Sequence, residues 1–199
     1  MEGKIDRVDA MPAPDGSHYI KIVDYKSGSL KFNRKLVEQG LSLQFMTYLE
    51  GALGDTENSP AGVYYFRISA DDAESAVEDI AAEDLSDKVL EEINKKYRLD
   101  GLTVENDNVL CGLDEALLQT GKSDVIGGIK RKKDGTLSGE LISPEEMDEF
   151  RAHFRQTLAA CAEKISAGEI APAPKAVGNI YDSCRYCEYS SICLKDMYR

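Results

Sequence analysis

Long apolar runs are missing from this 199-residue chain. None approaches the ~20 residues a helix needs to cross a bilayer, and no secretory pattern of basic, apolar and small residues opens it. A soluble, cytoplasmic protein with no membrane partner is therefore expected. A Gly-x4-Gly-Lys-Ser/Thr phosphate loop is also missing: Gly121-Lys122-Ser123 has no glycine five residues before Gly121. The chain is thus not expected to be a nucleotide-driven motor. Histidine is scarce, with only His18 and His153 present, and there is no internal repeat. Basic residues are outnumbered, Lys+Arg being 24 against Asp+Glu 36, for a formal net charge of −12. As an average that argues against a nucleic-acid partner, but the acid is concentrated. Residues 71–92 hold ten acids with Lys88 as their lone base, whereas residues 1–50 hold seven acids and seven bases. The remaining surface is free to be neutral or locally basic.

What is present supports an ordered core, since 42% of residues are apolar and 30% charged. Alternation marks residues 3–9 as a strand, Met11–Gly16 as a turn and His18–Lys26 as a second strand, together an antiparallel hairpin. Leu36, Leu41, Phe45 and Leu49 mark helix, with Gly40 as a break, and residues 61–69 read as a buried third strand. Helices are expected after Ser69, at 86–98 and at 109–119. A basic hairpin is expected over 126–140, with Lys130-Arg131-Lys132-Lys133 before an Asp134-Gly135 turn. The clearest helix is 144–167, opened by Ser143-Pro144 and closed by Gly168. Met147, Phe150, Phe154, Leu158, Cys161 and Ile165 form its apolar stripe, so Cys161 is expected in the core, as is Cys111. His153 falls off the stripe, at the surface. The fold class is mixed α/β, a small central sheet flanked by helices. Residues 1–175 form one domain with an inserted region at about 70–140, and a cysteine-bearing tail spans 176–199.

Two groups of residues carry chemistry. Asp24 and Lys26 lie two apart on a strand and point the same way as Ile20 and Ile22. Charges on an apolar face are costly unless they serve a partner, and Asp6 on the neighbouring strand can reach the same spot. Two carboxylates beside an amine suit a hard divalent cation such as Mg2+ and an activated water. Gln44 and Tyr48, four apart, share one helix face and offer an amide and a hydroxyl to a phosphate or base. The second group is Cys184, Cys187 and Cys193, within ten residues near the C-terminus. Thiolates at this spacing can close round one soft metal centre, with one position left for a further ligand. Neither histidine lies near in sequence.

The order Gly3-Lys4-Ile5-Asp6, then Val23-Asp24-Tyr25-Lys26-Ser27, then Gly40-Leu41-Ser42-Leu43-Gln44 with Tyr48, resembles the RecB-like branch of the PD-(D/E)XK nuclease superfamily. The resemblance implies that Asp6 and Asp24 hold Mg2+, Lys26 acts at the attacking water, and Gln44 and Tyr48 line the path of DNA. The tail is similar to the closing part of the iron–sulfur staple of bacterial AddAB-type helicase–nucleases. There three late cysteines join an earlier one around a [4Fe–4S] cluster. The implied function is Mg2+-dependent exonucleolytic trimming of double-strand DNA ends for recombinational repair, beside a helicase–nuclease partner subunit of the A type. The alternatives are a stand-alone CRISPR-adaptation nuclease and a catalytically inactive DNA-holding module. No cysteine precedes Cys111, so the fourth cluster ligand is lacking. The upstream helix that brings the family another acid or histidine is lacking too. The expectation is therefore a C-terminal fragment of a larger subunit, weak or inactive by itself.

Overall fold

The structure, a computed structural model, describes residues 3–28, 31–54, 56–68, 94–169, 171, 173–175, 184, 187–189, 192 and 193. Its first strand, β1 (Arg7–Pro12), runs antiparallel to β2 (His18–Lys26), with Arg7 opposite Val23 and Pro12 opposite His18. The strand thus starts and ends later than the expected 3–9. Pro12 has no N–H to give a ladder, so it fits at the strand end. The turn closes behind it, Ala13 N–H donating to Ser17 O at 2.9 Å and Gly16 N–H to Ala13 O at 3.1 Å.

The next strand, β3 (Ser59–Arg67), pairs parallel with β2. Parallel strands need a crossover, and here it carries α1 (Arg34–Glu38) and α2 (Gln44–Leu53). The break between them falls at Gly40, which adopts φ 78°, as expected. α2 packs on β2 and β3 and buries Phe45, Met46, Leu49 and Leu53. β4 (Asp100–Val104) then runs antiparallel to β3, and β7 (Leu141–Ile142) runs parallel to β4, giving the sheet order β1-β2-β3-β4-β7. β4 was not expected, and with β7 it makes part of the stretch read as an insertion integral to the sheet. Residues 71–92 and most of the helix expected at 86–98 lie outside the described residues; residues 94–96 are helical.

The register sorts the sheet into two faces. Ile22, Asp24 and Lys26 lie opposite Val63, Tyr65 and Arg67, and Tyr65 lies opposite Asp100. This is the α2 face, where the Phe45 and Tyr65 rings meet at 4.2 Å. Val23 and Tyr64 point the other way, into a core with Leu110 of α3 (Asp107–Leu113) and Leu117 of α4 (Glu115–Thr120). The helix expected at 109–119 is therefore two, hinged at Asp114, which ends α3 and caps α4. The basic hairpin forms as expected, from β5 (Lys130–Arg131) and β6 (Leu137–Ser138), with Gly135 at φ 86°.

The chain divides into two compact units, Met1–Phe32 with Gln44–Asp148, and Asn33–Leu43 with Glu149–Arg199. α5 (Pro144–Ser166) begins in the first and continues in the second. It opens with a capping box, Glu146 N–H donating to Ser143 Oγ at 3.1 Å and Ser143 N–H to Glu146 Oε2 at 3.3 Å. It closes at Gly168, φ 69°, with Glu169 N–H donating to Lys164 O. Within the second unit, Arg34 lies 5.2 Å from the Phe150 ring and the exposed His153 ring contacts Glu38 O at 3.0 Å. Phe150 and Phe154 are buried, but residues 159–169 are exposed, with Ile165 at 78%. Cys161 is therefore exposed rather than in the core, and so is Cys111. A stripe tells which side of a helix would be covered, not how far the cover extends. In α3, Val109 and Leu110 are the residues turned inward.

Candidate active site

The end of β2 and the start of α2 build one polar row on the sheet face that α2 covers. Asp24 is 3% exposed. Its Oδ2 lies 2.5 Å from the Lys26 ammonium, an ion pair that lacks hydrogen-bond geometry. Lys26 Nζ donates to Gln44 Oε1 at 3.4 Å, and Gln44 Nε2 donates to Tyr48 Oη at 2.9 Å. Each step follows from local structure. A period of two puts Asp24 and Lys26 on one face of β2, and a spacing of four puts Gln44 and Tyr48 on one face of α2. α2 is held down by the burial of Phe45, Met46 and Leu49, which leaves Gln44 exposed and Tyr48 half-buried beside the sheet. Gly3 reaches the far end of this row: a Cβ there would lie 3.3 Å from Tyr48 Cε1.

Asp6 joins from the other side. It precedes β1 rather than lying within it and is exposed. The β1–β2 ladder stops at Arg7 opposite Val23, and beyond it the Asp6 carboxylate accepts the Tyr25 N–H at 3.0 Å. That bond ties Asp6 to the residue between Asp24 and Lys26. The structure thus gathers Asp24, Lys26, Gln44 and Tyr48 into one row, with Asp6 fastened to its backbone. Among the described residues, no three His, Cys, Asp or Glu side chains converge as a metal-ligand set.

Sequence reasoning missed Tyr65, whose ring centroid lies 5.8 Å from Lys26 Nζ. Burial first, then the charges of Asp24 and Asp100, pushes its phenol above the ordinary value, so it stays protonated. No local signal marks Tyr65; the register of β3 against β2 brings it there. Asp100 was missed for the same reason, and its Oδ1 accepts the Phe32 N–H at 3.0 Å. Cys184, Cys187 and Cys193 are half-buried, free thiols. The backbone turns there, Cys187 N–H donating to Cys184 O at 3.3 Å and Cys193 N–H to Tyr189 O at 2.9 Å.

An acid, an amine, an amide and a phenol thus stand in file on one face of a mixed α/β sheet. The chain belongs to the PD-(D/E)XK nuclease superfamily, which its residues 1–194 match. Its relatives make the kinship narrower. Over 96% of this chain it is 36% identical to the B-type subunit of the ATP-dependent helicase/deoxyribonuclease of Thermoanaerobacter sp. (strain X514), covering 16% of that protein. The B-type subunits of the same enzyme from Alkaliphilus metalliredigens (strain QYMF) and Symbiobacterium thermophilum are 31% and 32% identical over 98% of the chain, which covers 17% and 16% of them. The chain thus spans about a sixth of the length of these curated relatives.

Proposed function

We propose that this chain is the nuclease domain of a bacterial helicase–nuclease subunit that trims DNA ends for recombinational repair by metal-dependent, exonucleolytic hydrolysis of phosphodiester bonds. The Asp24–Lys26–Gln44–Tyr48 row carries the reading. The family match supports the nuclease class, and relatives over nearly the whole chain favour the helicase–nuclease setting, with an A-type partner subunit, over the CRISPR-adaptation alternative. The residues also fit Mg2+. Asp24 offers a buried oxygen with no hydrogen-bond donor, and Asp6 an exposed carboxylate, hard donors of the kind that ion takes while keeping several waters. When bound, the ion would activate water and neutralise charge on the phosphoryl group.

The chain's own groups supply the rest. The Lys26 ammonium, fixed by Asp24 and braced on Tyr65, orients the attacking water by donating a hydrogen bond. Gln44 and Tyr48 form a rigid pair of donors that aligns the scissile phosphate. Water oxygen then bonds to phosphorus, releasing a proton to solvent, as the bond to the leaving sugar oxygen breaks and that oxygen takes up a proton from solvent. A [4Fe–4S] cluster needs four ligands and this chain provides three cysteines in its tail. They do not converge here, so no step is assigned to the cluster, and we place it only in the longer subunit, with a ligand from elsewhere.

The test is Asp24→Ala in the complete helicase–nuclease, assayed on a linear duplex. The expected result is loss of Mg2+-dependent degradation at this site with DNA binding kept. Unchanged degradation would point instead to an inactive module that holds DNA.

A further inference from the structure

We infer that Arg7, stapled to Asp9 and Lys21 on the sheet face away from α2, is a positioning residue for Asp6. It keeps the start of β1 from fraying and so holds the Asp6 carboxylate at the Tyr25 N–H. What Asp6 does there rests on the nuclease reading; the fastening itself does not.

The register puts Arg7 opposite Val23 and Asp9 opposite Lys21, so these side chains share the face that Val23 and Tyr25 occupy. There one carboxylate joins two cations from two strands. Asp9 Oδ1 accepts from Arg7 Nε at 2.7 Å, and Asp9 Oδ2 lies 2.9 Å from Lys21 Nζ. The Tyr25 hydroxyl lies beside the same guanidinium, and the Tyr25 ring meets Phe66 edge-on at 5.7 Å. Tyr25 thus serves both faces at once. Its side chain belongs to the stapled group, while its N–H is the donor that the Asp6 carboxylate accepts at 3.0 Å.

Asp6 needs such help and Asp24 does not. Asp24 is buried on β2, which has a strand on either side. β1 stands at the edge of the sheet, and its ladder with β2 stops at Arg7. Strand ends lie at the low-stability end of local opening, and the exposed Asp6 hangs one residue beyond the last pair. When Arg7 leaves the ladder, Asp6 leaves with it. The Arg7 side chain is half-exposed and Asp9 partly so, so the staple has the strength of exposed ion pairs. That is enough to change the opening of a strand end by about two- to fivefold, and too little to decide the fold.

The experiment follows hydrogen exchange of single backbone amides by NMR, in the full chain without divalent cation. Arg7→Gln and, separately, Lys21→Gln, which leaves β1 untouched, are expected to speed exchange of the Tyr25 N–H about two- to fivefold. The Thr103 N–H, bonded to Glu140 O at 3.0 Å, is expected to keep its rate, and Lys130→Gln to change neither. Raising NaCl to about 1 M, where the Debye length is ~3 Å, should speed the Tyr25 amide in the unsubstituted chain and add little in Arg7→Gln. In the complete helicase–nuclease, Arg7→Gln is expected to raise the half-saturating Mg2+ concentration about twofold, as the population competent to bind is diluted. The rate at saturating Mg2+ should stay as it was. Tyr25 exchange unmoved by both variants, or a lower saturated rate with half-saturation unchanged, overturns the proposal. Faster Tyr25 exchange beside an unsubstituted enzyme that shows no Mg2+-dependent cleavage removes the nuclease reading and keeps the fastening of Asp6; cleavage with unmoved exchange does the reverse.

Discussion

Lys26 touches an acid, an amide and an aromatic ring at once, so its removal has two separable effects. Lys26→Gln is expected to slow cleavage by about 10²- to 10⁴-fold. It also strands the charge of Asp24 in a buried site, a loss of roughly 3 kcal/mol. Pairing it with Asp24→Asn removes that charge, so the double variant should recover most of the melting temperature and none of the activity. A thermal melt beside a nuclease assay distinguishes the two. Asp114 has a different task. Burial alone would raise its carboxyl, but hydrogen bonds from Ser123 Oγ and from the N–H groups of Asp124, Val125 and Ala116 outweigh that and hold it below the usual range. A depressed value in the folded state contributes stability above the unfolded pKa of about 4, and that stability is lost as pH falls through the folded value. Asp114→Asn should therefore lower the melting temperature at pH 7 and flatten its fall on the acid side. Cys111 and Cys161, both exposed, should be alkylated by iodoacetamide in the folded chain, as peptide mapping would show. Protection of both would return them to the interior, where their apolar neighbours in sequence suggested they belong.

Among the elements, those set by local rules were legible and those set by distant pairing were not. His18–Lys26 reads as a strand from its alternation and is one, end for end. Ser143-Pro144-Glu145-Glu146 announces the start of α5, and Gly168 its end, because caps are satisfied by residues a few positions away. β4 has the sequence DGLTV, too short and too polar at its start to declare itself. It becomes a strand because β3 and β7 hydrogen-bond to its two sides. Gly101 shows how close that pairing is: a Cβ there would lie 2.0 Å from Val63 O. Gly101→Ala should accordingly cost about 1–3 kcal/mol through backbone displacement, measured as a shift in the denaturant midpoint. Ser143→Ala, which empties one half of the capping box, should cost about 1 kcal/mol.

For the whole molecule, the same division holds for the candidate site. Asp24 with Lys26, and Gln44 with Tyr48, are pairs written at strand and helix spacing, so each was visible alone. That the two pairs touch depends on α2 lying over the end of β2, which only the crossover to β3 determines. Tyr65 and Asp100 come from beyond that crossover and left no local trace. The sheet order has a further consequence, for the order of synthesis. Every group in the polar row, together with Asp6, has left the ribosome by Tyr48, while β4 and β7 follow only at residues 100–104 and 141–142. Because domains fold from the N-terminus during translation, the polar row is made before the rest of its own sheet. It must wait, unfinished, for the strands that will complete the sheet around it.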